Sequence, residues 1–270
     1  MEVKPGDLNI WFGRYYSGSI DFTLYLILTI IFIILSIIFK YKYEEEAFWK
    51  IYLSSSVFWI IFELILQGTG WRTWYELPTL FWSIKINYPI TALLQGSMEG
   101  GIPTVLMYGF AKLLAFKRDK EFIILTIVFV ILAPILLLTN ISSQESATVS
   151  RRAVSLFSIL FVSIFTIVGF IIALKFYEDV KYPLASFIFL AIIGSYINLV
   201  GWLIGVRPIL IADTFEIGKE ATGWHNAPIG IAIMMCLWDG VIEISGIYFG
   251  FYMITTYFWA KDDLNIKFRE

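Results

Sequence analysis

A single cysteine, Cys236, and a single histidine, His225, set the first limits on this chain. One cysteine excludes an intrachain disulfide, and one histidine leaves no cluster for a zinc or di-iron centre. Any metal would rest on carboxylates alone, so neither metal nor cofactor is expected. Charge is scarce as well. Only 16% of the residues are charged, against about 25% in a soluble domain. The net charge of -2 offers no basic footprint for nucleic acid. The opening MEVKPGDLNIWFGRYY has neither a basic leader nor a short apolar core, so no cleaved signal peptide is expected. What the chain has instead is apolar length: 59% hydrophobic residues and a mean hydropathy of +0.77.

Crossing a bilayer takes about 20 apolar residues, and seven stretches qualify: Ile20 to Phe39, Ala47 to Gln67, Pro89 to Phe116, Phe122 to Leu138, Ala153 to Phe176, Pro183 to Gly205 and Pro228 to Trp259. The expected architecture is an all-α integral membrane protein of seven helices, one domain over residues 1–270. Of the 20 Lys and Arg, 12 fall on one side if the N-terminus lies outside, which predicts N-out and C-in. The outer connection Gly68 to Tyr88 carries Trp71, Trp74, Tyr75, Phe81 and Trp82, read as an interfacial belt rather than a cap over a cavity mouth. YEEE (Tyr43 to Glu46) and the tail KDDLNIKFRE read as solvated inner segments, and His225 as a solvated interfacial residue.

Against that background four carboxylates are out of place: Glu63, Glu99, Asp239 and, one turn on, Glu243. Charge at bilayer depth is costly, so such residues face a bundle interior and mark function. Residues four apart share a helix face, giving four polar stripes: Trp59, Glu63 and Gln67; Gln95 and Glu99; Gly194, Asn198 and Trp202; Met235, Asp239 and Glu243. All four are expected to point at a common axis. Pro103 and Pro134 are expected to kink their helices, and Gly96, Gly100, Gly101, Gly240 and Gly246 to let helices approach closely.

The chain also repeats weakly. IIFELILQGTGWR over SYINLVGWLIGVR pairs Glu63 with Asn198, Gly70 with Gly205 and Arg72 with Arg207; MEGGIPTVLMY over WDGVIEISGIY pairs Glu99 with Asp239, Gly100 with Gly240 and Tyr108 with Tyr248. This suggests two parallel three-helix repeats joined by helix four, with a site between them. Arg72 and Arg207, each just past a helix, read as snorkelling anchors, the alternative being a site for a lipid phosphate or pyrophosphate.

With no Lys or Arg inside a span, desolvation is expected to act on the acids unopposed, keeping some protonated as proton donors. Aromatic faces at Trp59, Trp202, Trp238, Tyr108 and Tyr248 would stabilise a developing cation. Acids, aromatics and lipid access together suggest carbocation chemistry on an isoprenoid. The alternative is that the acids only tie helices together through Gln67, Gln95 and Asn198.

FWIIFELI in the second span and LWDGVIEISGIYFGFYM in the seventh resemble the small seven-helix membrane terpene cyclases of fungal meroterpenoid and indole-diterpene pathways and their bacterial relatives. The resemblance implies that Glu63 and Asp239 protonate an epoxide or alkene and steer cyclisation, with an isoprenoid or lipid substrate as partner. The chain departs from the pattern at Phe62, where tryptophan is expected, and in its extra acids Glu99 and Glu243. A fainter echo, in MEGGIPTVLMYGF and MMCLWDG, is of sterol isomerases of the emopamil-binding type, which want a histidine where Trp59 stands. A proton-coupled transporter, with Asp239 and Glu243 as the coupling pair, is the non-enzyme alternative. An opsin is excluded, because Pro228 to Trp259 contains no lysine for a Schiff base.

Overall fold

In a computed structural model the described residues are 7–14, 21–118 apart from 71, 75 and 76, scattered positions between 120 and 131, 150–211 and 225–260. They are mostly helical. Helices α1 (Thr23–Lys42) and α2 (Glu46–Gly68) are followed by a helical run in three parts: α3 (Ile90–Gly96), a π turn (Ser97–Gly101) and α4 (Ile102–Ala115). Later come α5 (Leu156–Phe176), α6 (Lys181–Leu203) and a second three-part run: α7 (Ile229–Trp238), a π turn (Asp239–Gly246) and α8 (Ile247–Phe258).

Among the described residues, five helical stretches are long and apolar enough to cross a membrane: Thr23–Lys42, Glu46–Gly68, Ile159–Phe176, Lys181–Leu203 and Ile229–Phe258. These make the chain a multi-pass membrane protein by length and composition. The expected third span is helical from Ile90 to Ala115 but stands outside these five, its middle being SMEGG. The expected fourth, Phe122 to Leu138, falls almost entirely outside the described residues, as do Trp71, Tyr75, Pro134 and the tail.

Both π turns occur where the α ladder is weakened. Pro103 has no N–H to give to the carbonyl of Glu99 four residues back, and Gly100 and Gly101 let the backbone widen there. In the second turn the Ser245 hydroxyl donates to the Gly240 carbonyl, five residues back, at 2.7 Å. Such turns inside membrane helices recur at functional sites.

The sequence reading contained no strands, yet a small sheet is present. Its order is β2-β5-β1-β6-β7, built from β1 (Asp7–Arg14), β2 (Arg72–Trp74), β5 (Ser150–Ser155), β6 (Ile209–Ile211) and β7 (His225–Asn226); β3 (Thr79–Leu80) and β4 (Ile84–Lys85) form a separate hairpin. The strands pair antiparallel, and a single parallel bridge joins Asp21 to Thr79. The sheet closes one end of the bundle. There α2 and α6 end, and α5 and α7 begin. The helices after each π turn run away from it, so the pairs α2 with α3–α4 and α6 with α7–α8 have the same sense.

The main core lies toward the end remote from the sheet, where Ile51, Tyr52, Met107, Tyr108, Phe249, Tyr252 and Met253 are buried together. Glycines set the helix separations. A Cβ on Gly96 would overlap the Ile60 backbone, and one on Gly100 would overlap Trp59 Cβ and the Ser55 carbonyl. In the second half a Cβ on Gly240 would overlap the Ser195 backbone. Small residues let membrane helices approach to backbone contact in this way.

Candidate functional site: two arginine-held acid clusters

Glu63 is fully buried on α2, five residues before the helix ends. Gly70, in the left-handed conformation at φ 77°, turns the chain back so that Arg72, the first residue of β2, points down into the bundle instead of outward. Its Nη2 lies 3.1 Å from Glu63 Oε1 and its Nη1 3.7 Å from Glu99 Oε2. Arg72 is only 4% exposed. Amides complete the cluster. Gln67 Nε2 donates to Glu63 Oε2 at 3.2 Å and to Gln95 Oε1 at 3.4 Å, Gln95 Nε2 donates to Glu99 Oε1 at 3.0 Å, and the Thr91 hydroxyl donates to Gln67 Oε1 at 2.7 Å. Of the two acids Glu99 is the more open, its side chain 17% exposed against 0% for Glu63.

The second half repeats the device. Gly205 has φ 78°, and two residues later Arg207 reaches Asp239 on the second π turn, Nη2 to Oδ2 at 3.6 Å. Asn198, on α6 at the position matching Glu63, donates through Nδ2 to Asp239 Oδ2 at 2.6 Å and accepts from Arg207 Nη1. The helix ends share two bonds: Thr69 N–H donates to Ile65 O and Gly70 N–H to Gln67 O, while Ile204 N–H donates to Val200 O and Gly205 N–H to Trp202 O. The alignments Glu63/Asn198, Gly70/Gly205, Arg72/Arg207 and Glu99/Asp239 are therefore equivalences in space.

No family model, curated protein or solved structure matches this chain.

The geometry corrects two expectations. Arg72 and Arg207 do not snorkel to the interface; a left-handed glycine and a strand return each of them to an acid. Desolvation of the acids is accordingly opposed by a guanidinium in each half. The four stripes also resolve into two clusters, Glu63 with Glu99 around Arg72, and Asp239 with Asn198 around Arg207. Glu243 is buried one turn beyond Asp239, on the second π turn.

The aromatic residues divide. Trp59, one turn before Glu63, packs its ring at 5.5 Å from Tyr248 and 5.1 Å from Phe62, and Phe62 stacks at 5.5 Å on Phe161. This aromatic seam continues through Phe58, Phe165 and Phe251. Trp202 and Trp238 sit in a smaller apolar cluster with Ile209, Met235 and Cys236 near the second acid site. Tyr108 stands apart. Nine residues of helix separate it from Glu99, about 13 Å by the rise per residue, and its hydroxyl donates to Glu45 Oε1 beside Lys112 at the far end of the bundle. His225 is exposed in β7.

Sequence reasoning missed Arg72, Arg207 and Thr91 as members of the clusters. The signal for the arginines was present as Gly-x-Arg after each of two matching helices, Gly70 to Arg72 and Gly205 to Arg207. Among the described residues no group of three or more His, Cys, Asp or Glu has the placement of a metal site. Chemically, each cluster can hold a carboxyl in a fixed orientation in a dry interior, with an arginine that tightens on the carboxylate when the proton leaves.

Proposed function

We propose that the protein is an intramembrane acid–base enzyme of the terpene-cyclase type, protonating an alkene or epoxide of an isoprenoid-like lipid and guiding the resulting cation. The observation that carries this reading is the buried Glu63–Arg72–Glu99 cluster beside the Trp59–Phe62–Tyr248 aromatic seam. Glu99, the more open acid and the longer contact to Arg72, gives the proton. Glu63 holds Arg72 in place, and Arg72 stabilises the carboxylate left behind. The faces of Trp59 and Tyr248 stabilise the cation, and Asp239, oriented by Asn198 and Arg207, takes a proton back. Seven spans complete the reading. The expected third and fourth spans are added to the five long apolar helices. On this reading the N-terminus lies outside, on the side poorer in Lys and Arg.

The test is turnover of a panel of prenylated lipids and their terminal epoxides by purified protein. Glu99→Gln, Glu63→Gln and Asp239→Asn should each lower product formation about a hundredfold or more, the usual worth of a positioned acid or base, with protein yield unchanged. Wild-type product levels in all three would remove the proposal. A proton-coupled transporter is the second reading. It is favoured by the matching of the two arginine-held clusters across the repeat, since repeat interfaces carry transport sites. Accumulation of an unchanged solute in vesicles, without a new product, would select it.

A further inference from the structure

The broken helix from Ile90 to Ala115 carries one polar side chain per turn along its whole length: Thr91, Gln95, Glu99, Thr104, Tyr108 and Lys112. The steps are four, four, five, four and four residues. The single five-residue step falls on the π turn Ser97–Gly101, whose wider winding inserts one residue and so keeps the stripe on one face. Without that turn Thr104, Tyr108 and Lys112 would rotate off the line of Glu99 by about 100°. Thr91, Gln95, Thr104 and Tyr108 are all buried.

The stripe is hydrogen-bonded at both ends. Toward the sheet it is the Thr91–Gln67–Gln95–Glu99 network described above. At the far end Tyr108 OH and Lys112 Nζ both donate to the Glu45 carboxylate, and Lys112 Nζ lies 3.4 Å from Tyr108 OH. Lys112 is partly exposed there, so this end meets water. Between the two networks α2 presses on the π turn at Gly100 and Gly101, where added Cβ atoms would overlap Trp59 and Ser56 Oγ respectively. In this seam the buried Trp59 Nε1 has no hydrogen-bond partner among the described residues, while Ser56 Oγ faces the Tyr52 hydroxyl. An unsatisfied buried donor lies where the stripe is interrupted. Leaving it so costs free energy that a transient bridging water would recover.

We propose that this stripe is a proton route between Glu99 and the aqueous face at the end remote from the sheet, with Glu45, Tyr108 and Lys112 as its port and the Trp59–Ser56–Gly101 seam as its gate. A proton enters at Glu45, passes Tyr108 and Thr104, crosses the seam when it loosens and arrives at Glu99, which returns it by the same path. No electron or other group moves. Glu99 itself is faced by Arg72 from β2, by Glu63 on α2 and by Gln95 on its own helix; α1, which also packs there, carries no acid or histidine. The inference rests on Glu99 as the proton donor, but its test needs no substrate.

A lipophilic carbodiimide reacts with a membrane-buried carboxyl only in its protonated form, and labelled Glu99 is counted by peptide mass spectrometry. In sealed vesicles of known orientation the pH is stepped on one side only. Labelling of Glu99 is expected to follow the pH on the Glu45 side and to ignore the sheet side. In Tyr108→Phe, and independently in Glu45→Gln, the response should slow about a hundredfold, the cost of losing a positioned proton carrier, while the protein stays monodisperse. Tyr41→Phe, outside the stripe, should respond as wild type. Labelling that tracks the sheet-side pH, or a monodisperse Tyr108→Phe that responds at the wild-type rate, overturns the route. Absence of lipid turnover by the unaltered protein with an intact route would leave this inference standing, and a failed route with intact turnover would leave the enzyme reading standing.

Discussion

Removing Arg72 should cost more than removing the pair it belongs to. Arg72 and Glu63 are 3% and 0% exposed at their side chains and meet at 3.1 Å, so neither is compensated by water when the other goes. Breaking a buried pair from one side costs about 3–5 kcal/mol, because a charge is left uncompensated, whereas replacing both partners by neutral groups of similar shape is close to neutral. Arg72→Gln is therefore expected to lower stability by about 3–5 kcal/mol. Glu63→Gln leaves Arg72 its contact to Glu99 at 3.7 Å and should cost less, about 1–3 kcal/mol, the penalty of a weakened buried polar group. The double variant still leaves Glu99 without the guanidinium at 3.7 Å, so it should not return to neutral but should fall short of the sum of the two singles by about 2–3 kcal/mol, the upper range for residues in direct contact. Reversible unfolding in mixed micelles, followed by loss of tertiary fluorescence, measures all four corners of the cycle. Additivity within about 0.5 kcal/mol, the scatter expected of independent sites, would refute the claim that Arg72 is the counter-ion of the buried acid.

The equivalent cycle on Arg207 and Asp239, at 3.6 Å with Arg207 18% exposed, should give a smaller coupling that falls with added salt, read in the same unfolding assay. Gly240→Ala, whose Cβ would overlap the Ser195 backbone, should destabilise by about 1–3 kcal/mol, the cost of overpacking. Gly109→Ala, which meets nothing, should be neutral or stabilising by up to about 1 kcal/mol from helix propensity; equal melting shifts in the two would contradict the packing account. Asp21, just before α1, ties the β3–β4 hairpin to the bundle. Partial burial pushes its carboxyl pKa up, but hydrogen bonds from Thr23, the Trp82 N–H and Thr79 outweigh it and leave the carboxyl below its ordinary value. A lowered folded value means that its stabilisation is fully present above the unfolded range near ~4 and is lost as pH falls through the lowered value. Asp21→Asn should flatten that acid-side loss in a melting series from neutral to pH about 3, and an unchanged acid slope would show that the hairpin anchor is not the titrating group.

The helical membrane character was legible because long apolar runs survive any packing, and the acids stood out because lipid makes charge conspicuous. The faint alignment paired Gly70 with Gly205 and Arg72 with Arg207, and at both helix ends a left-handed glycine precedes an arginine that reaches an acid. The sheet was not. Its strands are two to eight residues long and several pair with segments far away in sequence, so no local periodicity announces them. The arginines were misread for a related reason. A residue just past a helix end is normally delivered to water, and only the left-handed Gly70 and Gly205 reverse that by turning the chain under the sheet. The π turns escaped because Pro103 announced a kink without saying that the helix would widen rather than bend.

The central claim, that the buried acids transfer a proton to an apolar substrate, is tested most directly by turnover of prenylated lipids in deuterated water. From an alkene the account predicts a cyclised or isomerised product carrying one deuterium at the protonated carbon, absent in Glu99→Gln; from an epoxide the deuteron goes to oxygen and exchanges, and the product is read by its ring alone. Alkene product formed at wild-type rate without deuterium, or recovery of every lipid and epoxide unchanged, would contradict it.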